Sequence, residues 1–537
     1  MTGWRTSVVP VTDSTHLDQI RAGYSFDSPG IDLGATVIDG QPHPDAPVRV
    51  PISSLTKHGL VAGATGTGKT KSLQLMAEQL SAAGVPVFLA DIKGDLSGIA
   101  TPGEGSDKLT ARTESIGQDW QGTAFPTEFL SLGGEGTGVP VRTTVTSFGP
   151  TLLSKVLGLN ATQESSLGLV FHFADKNGLA LLDLKDLRAV IQHLVSDEGK
   201  AELKALGGLS SATAGVILRQ LIAFEDQGAD VFFGEPELDT ADLIRVAEDG
   251  RGIVTCLELP AVQERPQVFS TFLMWMLADL FHDLPEVGDV DKPKLVFFFD
   301  EAHLLFDGAS KAFQDAIEQT VRLIRSKGVG VFFVTQSPKD VPSDVLGQLG
   351  NRVQHQLRAF TPEDSKAIKA AVSTYPHTEY DLAELLTQLG TGEAVVTVLS
   401  EKGTPTPVAH AIMQAPRSLM APSAPELLEQ TVAASSLTPK YAEALDRESA
   451  YELLSAKLEA APDAAEEPAP TKGEQAPPSP SAEKAKSGRS KGEAKEEEGM
   501  VGQVVGSRAF QSAMRSAGRT IGREITRSLF GTSRRRR

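Results

Sequence analysis

Six stretches of the chain read as β-strands, most of them apolar at nearly every position: 59–63, 85–91, 251–259, 294–300, 330–336 and 352–358. A strand that faces solvent on one side alternates polar with apolar. Runs without that alternation belong in sheets covered on both faces, which is the usual setting of parallel strands. Amphipathic helical patterns lie between the runs, so residues 58–416 predict an α/β core with a parallel-rich sheet and helices on both faces. Two further apolar stretches, 393–400 and 405–413, flank Glu401-Lys402-Gly403-Thr404 and predict a hairpin. Ahead of the core, residues 1–57 read as a helix followed by short strands with turns. Inside it, from about 96 to 250, a Gly-rich polar stretch leads into helical patterns such as those at 149–160 and 181–197, which predict a mostly helical insertion.

The pattern changes after the core. Residues 417–458 read as a helical extension. Residues 459–499 are rich in Pro, Ala, Glu and Lys with little apolar bulk, too little to offset the entropy of ordering, and predict a disordered linker. In 500–537, Phe510, Met514, Ala517, Ile521 and Ile525 recur at spacings of three and four and form an apolar helical stripe. This amphipathic C-terminal helix carries nine arginines against one glutamate between 501 and 537. It suits an anionic membrane surface, a phosphate backbone or the acidic body of the protein itself; a partly disordered solubilising tail is the plainer alternative.

Composition adds limits. The 537 residues carry a formal charge of −18, so nucleic-acid contact requires a local basic surface such as a pore built by oligomerisation. One cysteine, Cys256, excludes an internal disulfide and suits a reducing cytosol. No apolar run reaches the roughly 18–20 residues that span a bilayer, and the N-terminus lacks a basic-then-apolar leader pattern. The expectation is a cytoplasmic protein, with a peripheral position at membrane or nucleoid as the alternative.

The chemistry concentrates at three strand ends. Gly63-Ala64-Thr65-Gly66-Thr67-Gly68-Lys69-Thr70 follows an apolar strand, precedes a helix, and matches G-x-x-x-x-G-K-[ST] at every fixed position. Glycines let backbone N–H groups turn toward phosphate oxygens, and the helix N-terminus adds partial positive charge. Lys69 is assigned to the β- and γ-phosphates of ATP and the Thr70 hydroxyl to Mg²⁺. A Gly-rich turn with a surface lysine is the bland alternative, and the complete motif in strand-loop-helix context argues against it. Asp300 and Glu301 end the strand 294–300: Asp300 is the candidate Mg²⁺ partner through water, Glu301 the candidate general base. An acidic helix cap is the alternative there. Gln336, at the end of the strand 330–336, is a candidate phosphate sensor or a loop cap. Arg325 is favoured as an arginine supplied to a neighbouring subunit's site, ahead of Arg322 and Arg352; solvated helix-face arginine is the alternative for each. Asp91 and Lys93 fall at a strand's carboxyl end, where open parallel sheets place ligands.

The segments 58–70, 91–98, 297–306 and 331–338 together resemble the HerA-FtsK group of P-loop ATPases. The segments 140–163, 177–190 and 232–243 narrow this to the bacterial HerA-like ATPases of uncharacterised function. The resemblance covers most of residues 30–415 and the Arg-rich tail. It implies a RecA-like core, a ring that is a homo-hexamer, ATP as fuel and double-stranded DNA as track, with Lys69, Thr70, Asp300, Glu301, Gln336 and Arg325 in the roles given above. HerA proper has a β-barrel ahead of this core. About 60 residues precede the phosphate loop here, too few for that barrel, so a nuclease partner is not implied. The run Asp300-Glu301-Ala302-His303 also matches the box of DEAH RNA helicases, without the rest of their motifs.

Overall fold

The computed structural model describes residues 13–203 and 207–460. The expected linker and the Arg-rich C-terminal helix therefore lie outside the described residues, apart from the last turn of a helix ending at Ala460.

Twelve strands form one sheet: β1 (Gly30–Ile38), β2 (Gln41–Pro51), β3 (Gly59–Ala62), β4 (Val87–Asp91), β5 (Thr127–Leu132), β6 (Val139–Val141), β7 (Val254–Glu258), β8 (Leu295–Phe299), β9 (Val329–Thr335), β10 (Asn351–Gln354), β11 (Glu393–Thr397) and β12 (Ala409–Met413). Their order across the sheet is β2-β1-β12-β11-β10-β3-β9-β8-β4-β7-β5-β6. From β10 to β6 every neighbouring pair is parallel. From β10 back to β2 every pair is antiparallel, and β11 with β12 is the expected hairpin. This is an α/β sheet of the P-loop type with a mostly parallel order.

The uniformly apolar runs fold as parallel strands because both faces are covered. Along β8, Leu295, Phe297 and Phe299 enter one core cluster with the helices of the 145–284 region, while Val296 and Phe298 enter a second cluster on the opposite face. A strand apolar at every position fills both layers, and one polar side chain in its middle would lie unhydrated in a core.

Two features depart from the sequence reading. The lead-in is not set apart from the core: β1 pairs with β12, and the helix α1 (Asp13–Gly23) packs on β1 and β2. Tyr24, just after α1, is fully buried and donates its hydroxyl proton toward the carbonyls of Val396 and Pro407, at 3.0 and 2.9 Å. The insertion, expected to be mostly helical, also supplies β5 and β6, which extend the sheet beyond β7. These strands are short and flank the turn around Gly133 and Gly134, so their apolar signal is weak.

Candidate active site

In a parallel sheet all carboxyl ends lie along one edge, and the strand order decides which loops become neighbours there. Ala62 is in register with Thr335 across β3 and β9, Phe299 with Phe333 across β9 and β8, and Ala90 with Phe299 across β4 and β8. The loops after β3, β9, β8 and β4 therefore stand side by side. They carry the phosphate-loop motif, Gln336, the pair Asp300-Glu301, and Asp91 with Lys93.

Residues 63–68 link β3 to α2 (Lys69–Ala82). Gly66 and Gly68 have φ of +80° and +118°, a region that costs a residue with a Cβ. Gly63 has no room for a Cβ: one placed there would lie 2.5 Å from the His355 Cβ. Gly68 is the N-cap of α2, and no side chain caps it, so the first N–H groups of a 14-residue helix face the loop's hollow. Lys69 is buried, and its Nζ donates to the Ala64 carbonyl at 3.3 Å. Burial lowers its pKa, against the opposing pull of Glu301 and Asp300. Thr70 follows on the first turn, half-buried.

The loop is clamped from the β10–β11 side by contacts that sequence reading did not find. The Ala64 N–H donates to the Gln356 carbonyl at 2.8 Å, and the Gly392 N–H to the Thr67 carbonyl at 2.8 Å. His355 is fully buried between Ser72 Oγ (2.9 Å from Nε2) and the Glu393 carbonyl (2.8 Å from Nδ1). A carbonyl only accepts, so Nδ1 carries the proton and Nε2 accepts from the serine. Burial pushes the imidazole pKa down to about 4, which keeps it neutral. Arg112 donates to the Gly392 and Met413 carbonyls at 2.7 and 3.0 Å, bracing the same corner. Arg358 donates to the Thr65 carbonyl at 3.1 Å, which puts an exposed guanidinium on the rim of the loop.

The acid pair leaves β8 through a sharp turn. Glu301 has φ +47°, in the left-handed region, and the Ala302 N–H donates to the Val334 carbonyl at 2.8 Å, tying the turn to β9. Asp300 is buried. One of its oxygens accepts the Glu301 N–H at 2.9 Å, and the other, Oδ2, has no hydrogen-bond partner. Burial, and then the Glu301 charge, push its carboxyl up to about 7. A buried carboxylate oxygen without a donor fits a cation or a cation-bound water, so Asp300 and Thr70 would hold Mg²⁺ here. Glu301 is buried, with Oε1 paired to Lys93 and Oε2 3.2 Å from the His303 Nδ1. Although burial works the other way, Lys93 lowers its carboxyl below the ordinary value.

Gln336 is exposed one residue beyond β9, between the phosphate loop and the acid pair. The neighbouring Thr335 is buried and committed to Asp340 Oδ2 at 2.9 Å. The arginine candidates lie elsewhere. Arg325 ends the helix Lys311–Ile324, just before β9 begins, at the sheet edge opposite its own phosphate loop, and pairs with Asp289 at 3.1 Å. Arg322 pairs with Glu318 on the same helix. Arg352, at the start of β10, donates to the Thr374 carbonyl at 3.1 Å and lies over the Tyr375 ring.

The profile of the family described as Helicase HerA-like C-terminal matches residues 37–537. The chain belongs to this family. Its HerA-like sequence is 21% identical over 352 residues to the DNA double-strand break repair helicase HerA of Saccharolobus solfataricus, covering 65% of this chain and 63% of the relative. It is 22% identical over 357 residues to the protein of the same name from Sulfurisphaera tokodaii, covering 66% and 64%. The match thus spans a little under two thirds of the length of each relative. Among solved structures, plasmid coupling protein TrwB in complex with ADP and Mg²⁺ is similar at 15% identity and a TM-score of 0.48, over 74% of this chain and 96% of that one. No described helix of this HerA-like chain is long and apolar enough to cross a membrane.

Proposed function

We propose that the chain binds ATP with Mg²⁺ at the β3–α2 loop and hydrolyses it, and that subunits assembled as a ring, a homo-hexamer, use the reaction to move double-stranded DNA. The observation that carries the hydrolytic reading is the placement of Asp300 and Glu301 in the turn directly after β8, two strands from the phosphate loop and on the same edge. Asp300 Oδ2 is buried without a hydrogen-bond partner, which suits a cation-bound water, and Glu301 leaves the same strand end. In this reading, backbone N–H groups of 63–70 bind the phosphates and Lys69 neutralises their charge. Thr70 and Asp300 hold the metal, Glu301 takes a proton from the attacking water, and Gln336 orients that water. The metal supplies charge neutralisation on the phosphates when bound. Arg325 faces away from its own site, so a role in transition-state stabilisation falls to a neighbour's site.

DNA as the track rests on family membership and on the similarity to two DNA double-strand break repair helicases. The deciding experiment is the ATPase rate of the full chain with and without double-stranded DNA at two salt concentrations. Stimulation whose DNA affinity falls as salt rises supports the reading, because phosphate contacts release counterions. An ATPase rate that DNA leaves unchanged at both salts removes the track. A second reading, a membrane-associated or protein-remodelling ATPase, is favoured by one sequence observation: nine arginines against one glutamate at 501–537. It expects stimulation by anionic vesicles that is lost when 500–537 is deleted.

A further inference from the structure

The cation that meets the acid pair is not one of the arginines but Lys93. It stands in the loop after β4, and that loop is pinned. Asp91, fully buried, accepts the N–H groups of Gly94 at 2.7 Å and Leu96 at 2.8 Å, and Gly94 turns with φ +74°. A fixed backbone therefore aims the lysine's flexible stem across to β8, where the ammonium pairs with Glu301 Oε1. The two partners differ in exposure. The Glu301 side chain is 6% exposed and that of Lys93 48%. The ammonium also lies within electrostatic reach of Asp300 and Lys69. It is thus the exposed member of a charged cluster whose other members, Lys69, Asp300 and Glu301, are buried, as expected of a group that a ligand would cover.

As it stands, the pair is unsuited to hydrolysis. An ammonium occupies one oxygen of Glu301, Oε1, and a carboxylate neutralised by a cation is a weaker base. The terminal phosphoryl group of a nucleoside triphosphate carries more negative charge than one carboxylate and would meet the same cluster of charges. We propose that Lys93 is a γ-phosphate-binding residue: with a triphosphate bound its ammonium passes from Glu301 to the terminal phosphate, which both neutralises the phosphoryl group and releases Glu301 to accept a hydrogen bond from water. A diphosphate offers no such partner and leaves the Lys93–Glu301 pair closed. The exchange breaks one charge-assisted contact and forms another, with no proton or covalent bond transferred. The assignment rests on the nucleotide reading of the β3–α2 loop and adds to it a means of telling ATP from ADP.

The test is equilibrium binding by the full chain, in Mg²⁺, of ADP and of a non-hydrolysable ATP analogue, for the parent, Lys93→Met, Lys93→Arg, Glu301→Gln and the double variant. Lys93→Met is expected to weaken analogue binding about tenfold or more, the scale of one charge-assisted hydrogen bond, and to leave ADP binding within about twofold. Lys93→Arg should keep most of the parent's preference for the analogue. Glu301→Gln, which removes the competing charge, should tighten the analogue, and the gain should vanish in the double variant. Glu301→Gln keeps the proposal open to refutation should Lys93→Met fail to fold. Equal weakening of both ligands by Lys93→Met would show a structural role for the loop and overturn the assignment, as would no change in either or a Glu301→Gln variant with unaltered selectivity. Failure of the parent to bind either nucleotide overturns the nucleotide reading as well, an outcome distinct from the others.

Discussion

The two edges of the parallel strands are built from the same residue types and use them in opposite ways. At the amino edge, charges are settled within the chain. Arg325 pairs with Asp289, Arg352 is spent on the Thr374 carbonyl and the Tyr375 face, and Lys327 donates to the Leu284 carbonyl at 2.9 Å while lying over the Phe281 ring. At the carboxyl edge, polar groups are buried and left open. Asp300 Oδ2, Glu258 Oε1 and Asp95 Oδ1 lack partners, and the N-terminus of α2 has no side-chain cap. The amino edge has such atoms too, His58 Nε2 and Glu128 Oε1, but an unpaired buried polar atom costs stability, and at the carboxyl edge they stand at strand ends and in loops on the side of the phosphate-loop motif, where a ligand would satisfy them. Charged residues at the amino edge are paired within the chain; in the proposed function those at the carboxyl edge meet a ligand.

The largest effects should therefore follow changes at the carboxyl edge. Lys69→Ala is expected to lower nucleotide affinity by ~100-fold or more, since it deletes a buried cation from the phosphate site. Glu301→Gln is expected to retain ATP binding while turnover falls by ~10²–10⁴, the usual range for loss of a general base. Nucleotide titration and steady-state phosphate release on the same preparations separate the two. Parent-like turnover by Glu301→Gln would remove the general-base assignment and with it the functional side of the contrast.

Next in size is a stability effect with a defined pH dependence. Asp91 and Glu258 are partners in register across β4 and β7. Burial, and then the charges of Asp91 and Asp95, push the Glu258 carboxyl up to about 8. In the unfolded chain this carboxyl releases its proton near its ordinary value of 4.5, so between there and pH 8 only the folded chain keeps it. The stability linked to that proton is complete below the unfolded value and is lost as pH rises through the folded one. Glu258→Gln has no such proton to lose. It should match the parent near pH 4.5 and exceed it by on the order of 2 kcal/mol at pH 8.5, read as the shift in denaturation midpoint. A parent-variant gap that stays constant with pH would mean that Glu258 is not held protonated and that this part of the edge is not strained.

Much of this contrast could be read from the sequence, and the unread part has a physical reason. Five of the six core strands were legible because burial on two faces demands mostly apolar runs, while β10 is polar at three of its four positions, and the phosphate loop was legible because positive φ and close packing restrict Gly63, Gly66 and Gly68 to glycine. Leu73, Met76 and Leu80 mark one buried face of α2, but Gln74 and Glu78 are buried too, and no periodicity shows it. They are satisfied by the returning chain, where the Arg417 N–H donates to Glu78 Oε2 at 2.7 Å and Gln74 Nε2 to Ser418 Oγ at 2.6 Å. The same holds for the clamp on the phosphate loop. Ser72 and His355 are 283 positions apart, and Arg112 and Gly392 are 280 apart, so nothing local marks them. Lys93 was visible as a residue at a strand's carboxyl end, but its partner 208 positions away was not. The edge occupied by Arg325, by contrast, follows from chain order. A helix that leads into a parallel strand ends at that strand's amino edge, so a residue between the Lys311–Ile324 helix and β9 lies away from its own phosphate loop.

The smallest expected effect tests the amino edge on its own terms. Arg325 and Asp289 form an exposed pair, with side chains 47% and 87% exposed. Such pairs contribute little, because solvent screens the charges and holding two long side chains in place costs entropy. Arg325→Ala should therefore leave the denaturation midpoint of the chain almost unchanged. If its only role is this pair, ATPase activity will also be unchanged. If a neighbouring subunit uses the arginine, Arg325→Ala will lose turnover while keeping nucleotide affinity. Mixing it with Lys69→Ala subunits will then restore part of the activity, because at some interfaces an intact Arg325 from a Lys69→Ala subunit faces an intact phosphate loop on an Arg325→Ala subunit. No recovery at any mixing ratio, with turnover lost, would mean that Arg325 acts within its own subunit, which the strand order forbids by direct contact. That result would break the division between the two edges, since an amino-edge charge would then reach the carboxyl-edge chemistry through the sheet.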